Sequence, residues 1–359
     1  LHLIIFATTC LSVQGLHLPL SILKDELLLV QTVIRHADRA ATQGWATENS
    51  PNVFYRGNGE LSNEGVENAF AQGSDFRKRY IDSKFISDKY MPNEILFRAS
   101  SVPRVLMSAG SFASALFNKT TKGHPVTLPI YTIAQKEDSL LVPNLSCNDG
   151  WDDVIKRYNV TPGDDLSGSI AAAMLKADWP CKDVDASLFD AVISELPNPN
   201  IHMSPAYVNC GNEGGRKFMY KYLTMMSGSG DYKNDVRIKR TVGMLTTELI
   251  ENMKTAEKCG EKCTEPKFRV YYTHDISVLA ICDVFRILDI YKEYTPAFSS
   301  AIVFELRRNV KGVYVKAYRK DGQAADFEDA GLCKNNCSLD NIEKLTKSFA
   351  IDEPLKCVS

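Results

Sequence analysis

The sequence predicts an α/β protein, a three-layer sandwich with a mostly parallel central sheet and a helical cap inserted in the chain. Three observations carry this expectation. Residues 27–34, LLLVQTVI, form an almost unbroken apolar run rich in branched residues, which suits a strand covered on both faces. Two further short strand-like runs, at 95–97 and at 268–273, are separated from it by helical periodicity. From about residue 126 to Met226 the apolar spacing is helical, as at Leu188, Val192 and Leu196, and no convincing strand interrupts it.

Each element follows from its residues. The first strand runs into Arg35, His36, Asp38 and Arg39, at the carboxyl end where open α/β sheets place ligands. Two guanidiniums flanking an imidazole suit a buried strand end poorly unless an anion pairs them. Residues 42–59 are polar, with Trp45, Pro51 and three glycines, and read as a long functional loop. Ser62 can cap a helix with Val66, Phe70, Gly73 and Tyr80 on one face and Arg77, Lys78 and Arg79 at its end.

The strand at 95–97 ends in another cation, Arg98. Ser100, Ser101 and Pro103 then signal a helix start, and Val105, Ser108, Phe112 and Leu116 supply its inner face. Ser227, Gly228, Ser229 and Gly230 read as a flexible joint closing the helical segment. Val242, Leu245, Leu249 and Met253 form another amphipathic helix. The strand at 268–273 delivers His274 and Asp275, with Asp275 as the expected cap of an apolar helix whose start can receive an anion. A hairpin is expected at 301–306 and 313–318.

A formal charge of −2 over 359 residues gives no support to a nucleic-acid partner. Residues 1–15 read as a secretory signal peptide cut after Gly15, and no stretch is apolar for the roughly 20 residues a bilayer span needs. Nine cysteines remain after Cys10. Cys259 with Cys263 and Cys333 with Cys337 can each close a small bridge, and no histidine accompanies them at zinc-ligand spacing. Cys282, in an apolar helical pattern, is the expected unpaired thiol. Asn118, Asn144, Asn159 and Asn336 are glycosylation sequons, suited to an exported protein.

Arg-His-x-x-Arg after the first strand, an Arg-Ala-Ser-Ser segment after the second, the phrase from Arg104 through Val105, Leu106, Met107 and Ser108 to Ala109, and a late His-Asp resemble the histidine acid phosphatases, prostatic/lysosomal branch, of the phosphoglycerate-mutase-like superfamily. The resemblance implies a secreted or lysosomal enzyme that hydrolyses small phosphate monoesters without metal or cofactor. It implies His36 as the nucleophile that becomes phosphorylated, and Arg35, Arg39, Arg98 and His274 as holders of the phosphate oxygens. Asp275 would protonate the leaving alcohol. That step favours acidic pH unless burial raises the carboxyl. The resemblance also implies bridges from Cys147 to Cys357 and from Cys333 to Cys337, to which we add Cys181 with Cys210. The expected layout is a leader at 1–15, an α/β core at 16–125 and 231–359, and a cap at 126–230. A homodimer is compatible with this reading.

The chain departs from the family's Arg-His-Gly-x-Arg-x-Pro at Ala37 and Ala40. A glycine beside the nucleophile permits unusual dihedrals or a close neighbour, so the Ala37 methyl is expected to displace His36 if either is needed. Ala40 loses only a rigid turn. The alternative reading is a secreted phosphatase-like protein that binds a small molecule in the same pocket without turning it over. An inositol-phosphate hydrolase would want a more basic pocket, and a sugar-phosphate mutase fits export and the cysteines poorly.

Overall fold

The computed structural model describes residues 25–357 except 118–127, 164, 293, 323–325 and 335–336. The expected leader at 1–15, Asn118 and Asn336 lie outside these residues. Strand β1 (Glu26–Arg35) is followed by α1 (Ser50–Val53), α2 (Asn63–Phe76), β2 (Ile95–Ala99) and α3 (Pro103–Leu116). Then come α4 (Asp152–Tyr158), α5 (Leu166–Asp178), α6 (Phe189–Glu195), α7 (Pro205–Asn212) and α8 (Gly214–Ser227). Helices α9 (Asp235–Ile238) and α10 (Met244–Cys259) lead into β3 (Phe268–Thr273) and α11 (Asp275–Val284). The chain closes with β4 (Ala301–Asn309), β5 (Gly312–Lys320), β6 (Glu328–Asp329), β7 (Cys337–Ser338) and α12 (Leu339–Thr346).

The sheet runs β2-β3-β1-β4-β5-β6, with β7 pairing β5. Its core strands β2, β3 and β1 are parallel, whereas β4 runs antiparallel to β1 and starts the hairpin with β5. The pleat of β1 explains its apolar run. Leu29 and Val33 enter one core with Leu245 and Leu249 of α10 and Leu279 of α11, while Val30 and Ile34 enter the other with Phe112 of α3 and Phe76 of α2. Each fully buried side chain of this size contributes about 1.5–3 kcal/mol. Helices therefore cover both faces, giving three layers. The helices of the inserted segment share the first of these cores, through Phe218, Leu223 and Met225 of α8.

Two local expectations change. The buried stripe of α2 is Gly65, Ala69, Gln72, Gly73 and Phe76, and Phe70 points to solvent, 41% exposed. Small residues set this face, because a side chain at Gly73 would overlap the Phe112 carbonyl of α3. Ser62 does cap α2, accepting from the Gly65 N–H at 2.9 Å. The turn at 227–230 is not a loose joint: Ser227 donates to Ser229 at 2.8 Å, both are buried, and Gly228 takes φ +76° against the Arg237 side chain. The structure bridges Cys147 to Cys357, Cys181 to Cys210, Cys259 to Cys263 and Cys333 to Cys337, and Cys282 is a buried free thiol in α11.

Candidate active site

The ends of β1 and β3 lie side by side, with Arg35 opposite Thr273, so His36 and His274 leave the sheet together. Their ring centroids are 5.6 Å apart. Because β4 is antiparallel, the loop before Ala301 reaches the same edge, and Phe298 comes with it. The ring of Phe298 lies 5.9 Å from that of His36 and beneath the guanidinium of Arg35 at 4.1 Å.

His36 is buried, with Nδ1 2.9 Å from the carbonyl oxygen of Ala37. A carbonyl can only accept, so Nδ1 carries the proton and Nε2 keeps its lone pair. Burial, then the charges of Arg104, Arg35, Arg39 and His274, hold the imidazole well below the ordinary histidine value. The ring is thus neutral and nucleophilic at Nε2, even in mildly acid solution.

Ala37 is absent from the residues with positive φ, so its methyl sits on ordinary backbone, packed with Leu61, Ala69 and Val66. The close approach is provided instead by Gly65 of α2, where a side chain would overlap the Asp38 carbonyl. The Ala37 N–H donates to Ser108 Oγ at 3.0 Å, and Ser108 donates to the Arg104 carbonyl at 2.7 Å, which ties the residue after His36 to α3. Ala40 packs with Phe54 and Ile201, with Trp45 and Met203 alongside.

The arginines divide into two groups. Arg35 donates from Nη1 to the Pro296 carbonyl at 2.6 Å and pairs through Nη2 with Asp275 at 2.8 Å. Arg39 is held by Asp190 of α6 through Nη1 at 3.0 Å and Nη2 at 2.9 Å. Arg98 is placed differently from the sequence expectation. It faces Tyr271, two residues short of the Thr273 level, about 7 Å back along the strands. There Nη1 donates to the Ala99 carbonyl, and Nη2 pairs at 2.6 Å with Asp138, whose side chain is fully buried.

The third cation turned toward the histidines is Arg104, which is the leading charge acting on both His36 and His274. Its Nη1 donates to the Gly59 carbonyl at 3.2 Å, and burial, then Arg39, pull it down to about 10. The Nε atoms of Arg35, Arg39 and Arg104 are all buried without a hydrogen-bond partner.

His274, not Asp275, is the N-cap of α11, and its side chain makes no cap bond. Its Nε2 lies 3.3 Å from Ser100 Oγ, and burial, then Arg104, lower its pKa. Asp275 occupies the first helical position and accepts from the Ile276 N–H at 2.9 Å. Burial pushes its carboxyl up, but Arg35, with Arg39 and His274 behind it, holds it below the usual range.

Arg104, Ser108, Asp190 and Phe298 are the site neighbours without a role in the sequence reading. Arg104 does carry a local signal, since a cation in the first turn of a helix opposes the dipole. Asp190 has none. It lies 151 residues from Arg39 and meets it only through the fold.

Arg35, Arg39 and Arg104, the cations whose charges act on the neutral His36 imidazole, can hold one tetrahedral oxyanion against a nucleophile. Residues 26–160 match the family described as Histidine phosphatase superfamily (branch 2). "Putative acid phosphatase 1" of Caenorhabditis elegans is 28% identical over 339 residues, covering 87% of this chain and 76% of that protein. Prostatic acid phosphatase of Mus musculus is 26% identical over 352 residues, covering 89% and 86%. The crystal structure of Klebsiella sp ASR1 phytase matches the fold with a TM-score of 0.60 at 14% identity, over 92% of this chain and 99% of that one.

Proposed function

We propose that the chain is an exported acid phosphatase that hydrolyses small phosphate monoesters through a phosphohistidine on His36. The observation that carries this reading is the convergence on a neutral His36 of His274, ring to ring at 5.6 Å, and of Arg35 and Arg39, both over the Phe298 ring that lies 5.9 Å from it. The acid phosphatase relatives support the reaction class. The ester's phosphoryl oxygens take the free arginine donors and His274. Nε2 of His36 forms a bond to phosphorus as the ester P–O bond breaks, and Asp275 gives the leaving oxygen its proton. Water then attacks the phosphohistidine, returns a proton to Asp275 and frees phosphate and His36.

Asp275 begins ionised, so the proton must enter with the substrate. A phosphate ester's second pKa is about 6, and its monoanion carries that proton into the site. Once phosphate oxygens occupy Arg35, the charge that holds Asp275 down is shared and the carboxyl can accept the proton. Four bridges and the exposed sequon residues Asn144 and Asn159 support export. The test is hydrolysis of an aryl phosphate from pH 4 to 8 without added metal, beside His36→Ala. Acid-favoured turnover that vanishes in the variant, with an acid-labile phosphoenzyme trapped only in the parent, is expected. Equal rates in both proteins refute the reading.

A further inference from the structure

Asp190 reaches the site from α6, inside the inserted helical segment, and spends its whole carboxylate there. One oxygen accepts from Arg39 Nη2 at 2.9 Å; the other accepts from Arg39 Nη1 at 3.0 Å and from the N–H and Oγ1 of Thr42, both at 2.7 Å. Arg39 Nη1 also donates to the Ala40 carbonyl at 2.9 Å. Of the five N–H donors of a guanidinium, this leaves Nε–H and one Nη2–H. Asp190 therefore fixes the plane of Arg39 and determines which edge a ligand can use.

It also sets the charge of the site. Three arginines, Arg35, Arg39 and Arg104, face three carboxylates, Asp38, Asp190 and Asp275, while burial and the arginines keep His36 and His274 neutral. The carboxylate of Asp38 turns toward Asn68 of α2, at 2.6 Å, and Asp275 cycles its proton. Asp190 is the permanent anion: burial pushes it up, but Arg39 and Thr42 hold it at about 2. A site balanced in this way gains little from each phosphate beyond the first.

Resting on the phosphatase reading above, we propose that Asp190 is a positioning residue that orients Arg39 and cancels its charge, so that the site takes esters bearing one phosphate rather than polyphosphorylated ones. The test separates the two readings by measuring binding in the His36→Ala protein, where turnover plays no part. Calorimetry with inorganic phosphate and with myo-inositol hexakisphosphate gives an affinity ratio. That ratio is expected to stay under about tenfold with Asp190 intact, to rise by at least about tenfold in Asp190→Asn, and to fall back in Asp190→Glu. In the protein with His36 intact, Asp190→Asn should lower kcat for an aryl phosphate while KM falls or holds, because Arg39 binds more strongly but is less well aimed.

A merely structural role would change both affinities by one factor and leave the ratio fixed, and that result overturns the proposal. A hexakisphosphate preference above about a hundredfold with Asp190 intact overturns it too, whether or not the Asn variant folds. An inactive parent whose ratio nonetheless moves refutes the phosphatase reading and keeps the role of Asp190.

Discussion

Asp275 Oδ2 lies 2.8 Å from Nη2 of Arg35, so the residue assigned the proton and a residue assigned the phosphate begin as partners of each other. Bound phosphate then shares Arg35 with Asp275. Acid-favoured turnover then has a cause other than a raised Asp275, since Arg35, Arg39, His274 and the Ile276 N–H together outweigh burial and hold this carboxyl down.

The pH profile is the first consequence. As pH rises through about 6 the ester monoanion is lost, and kcat/KM should fall about tenfold per unit beyond it. On the acid side His36 stays neutral because burial and the arginines lower its pKa, so activity should persist at pH 5. Steady-state kinetics with an alkyl phosphate check both limbs. Asp275→Asn should cost about 10²–10⁴ in kcat for the alkyl ester and much less for a nitrophenyl ester, whose leaving group needs no proton.

Arg104 and Arg98 make opposite predictions. Arg104→Ala removes the leading charge acting on His36 and should lower kcat/KM by about 10²–10³ with little change in melting temperature. Arg98→Ala strands the buried Asp138 carboxylate and should cost about 3–5 kcal/mol of stability. Denaturant unfolding and kinetics on the two proteins separate the roles.

The close approach expected at position 37 falls at Gly65 instead. Ala37→Gly deletes a buried methyl on unstrained backbone, so it should cost about 1 kcal/mol and leave kcat unimproved. Gly65→Ala drives a methyl against the Asp38 carbonyl and should cost about 1–3 kcal/mol while depressing kcat through His36. Melting curves and rates for the pair decide this.

Glu195 of α6 should give stability a pH slope. It accepts from Ser50 Oγ at 2.5 Å and from the Ala46 N–H at 3.2 Å, while its Oε1 is buried without a partner. Burial, with the like charge of Asp190, outweighs those bonds and raises it to about 7. The folded state thus binds the proton more tightly than the unfolded one. Its stabilisation is full below about pH 4.5 and is lost as pH rises through 7. Glu195→Gln should flatten this slope, and the difference between the two proteins' melting temperatures across pH 4–8 tests it.

The alternation of sheet and helix was legible because burial on both faces of β1 leaves an unmistakable apolar run, and because Ser62 and Pro103 mark helix starts by local chemistry. The stripe of α2 was misjudged because Gly65, Ala69 and Gly73 bring it close to its neighbours by being small, which hydropathy does not register. His36, His274 and Asp275 declare themselves by interrupting apolar patterns. Arg98 lies within β2 and Arg104 six residues later in the first turn of α3, and only the folded structure shows that the first is committed to Asp138.

The strand order also governs when the site can exist. β3 lies between β1 and β2, yet it is made about 170 residues after β2. A nascent or truncated chain ending before Phe268 has a gap where its central strand belongs, with neither a closed core nor the second histidine. Long-range insertion of this kind is slow. The chain therefore cannot bind phosphate in this way until β3 and His274 have been made.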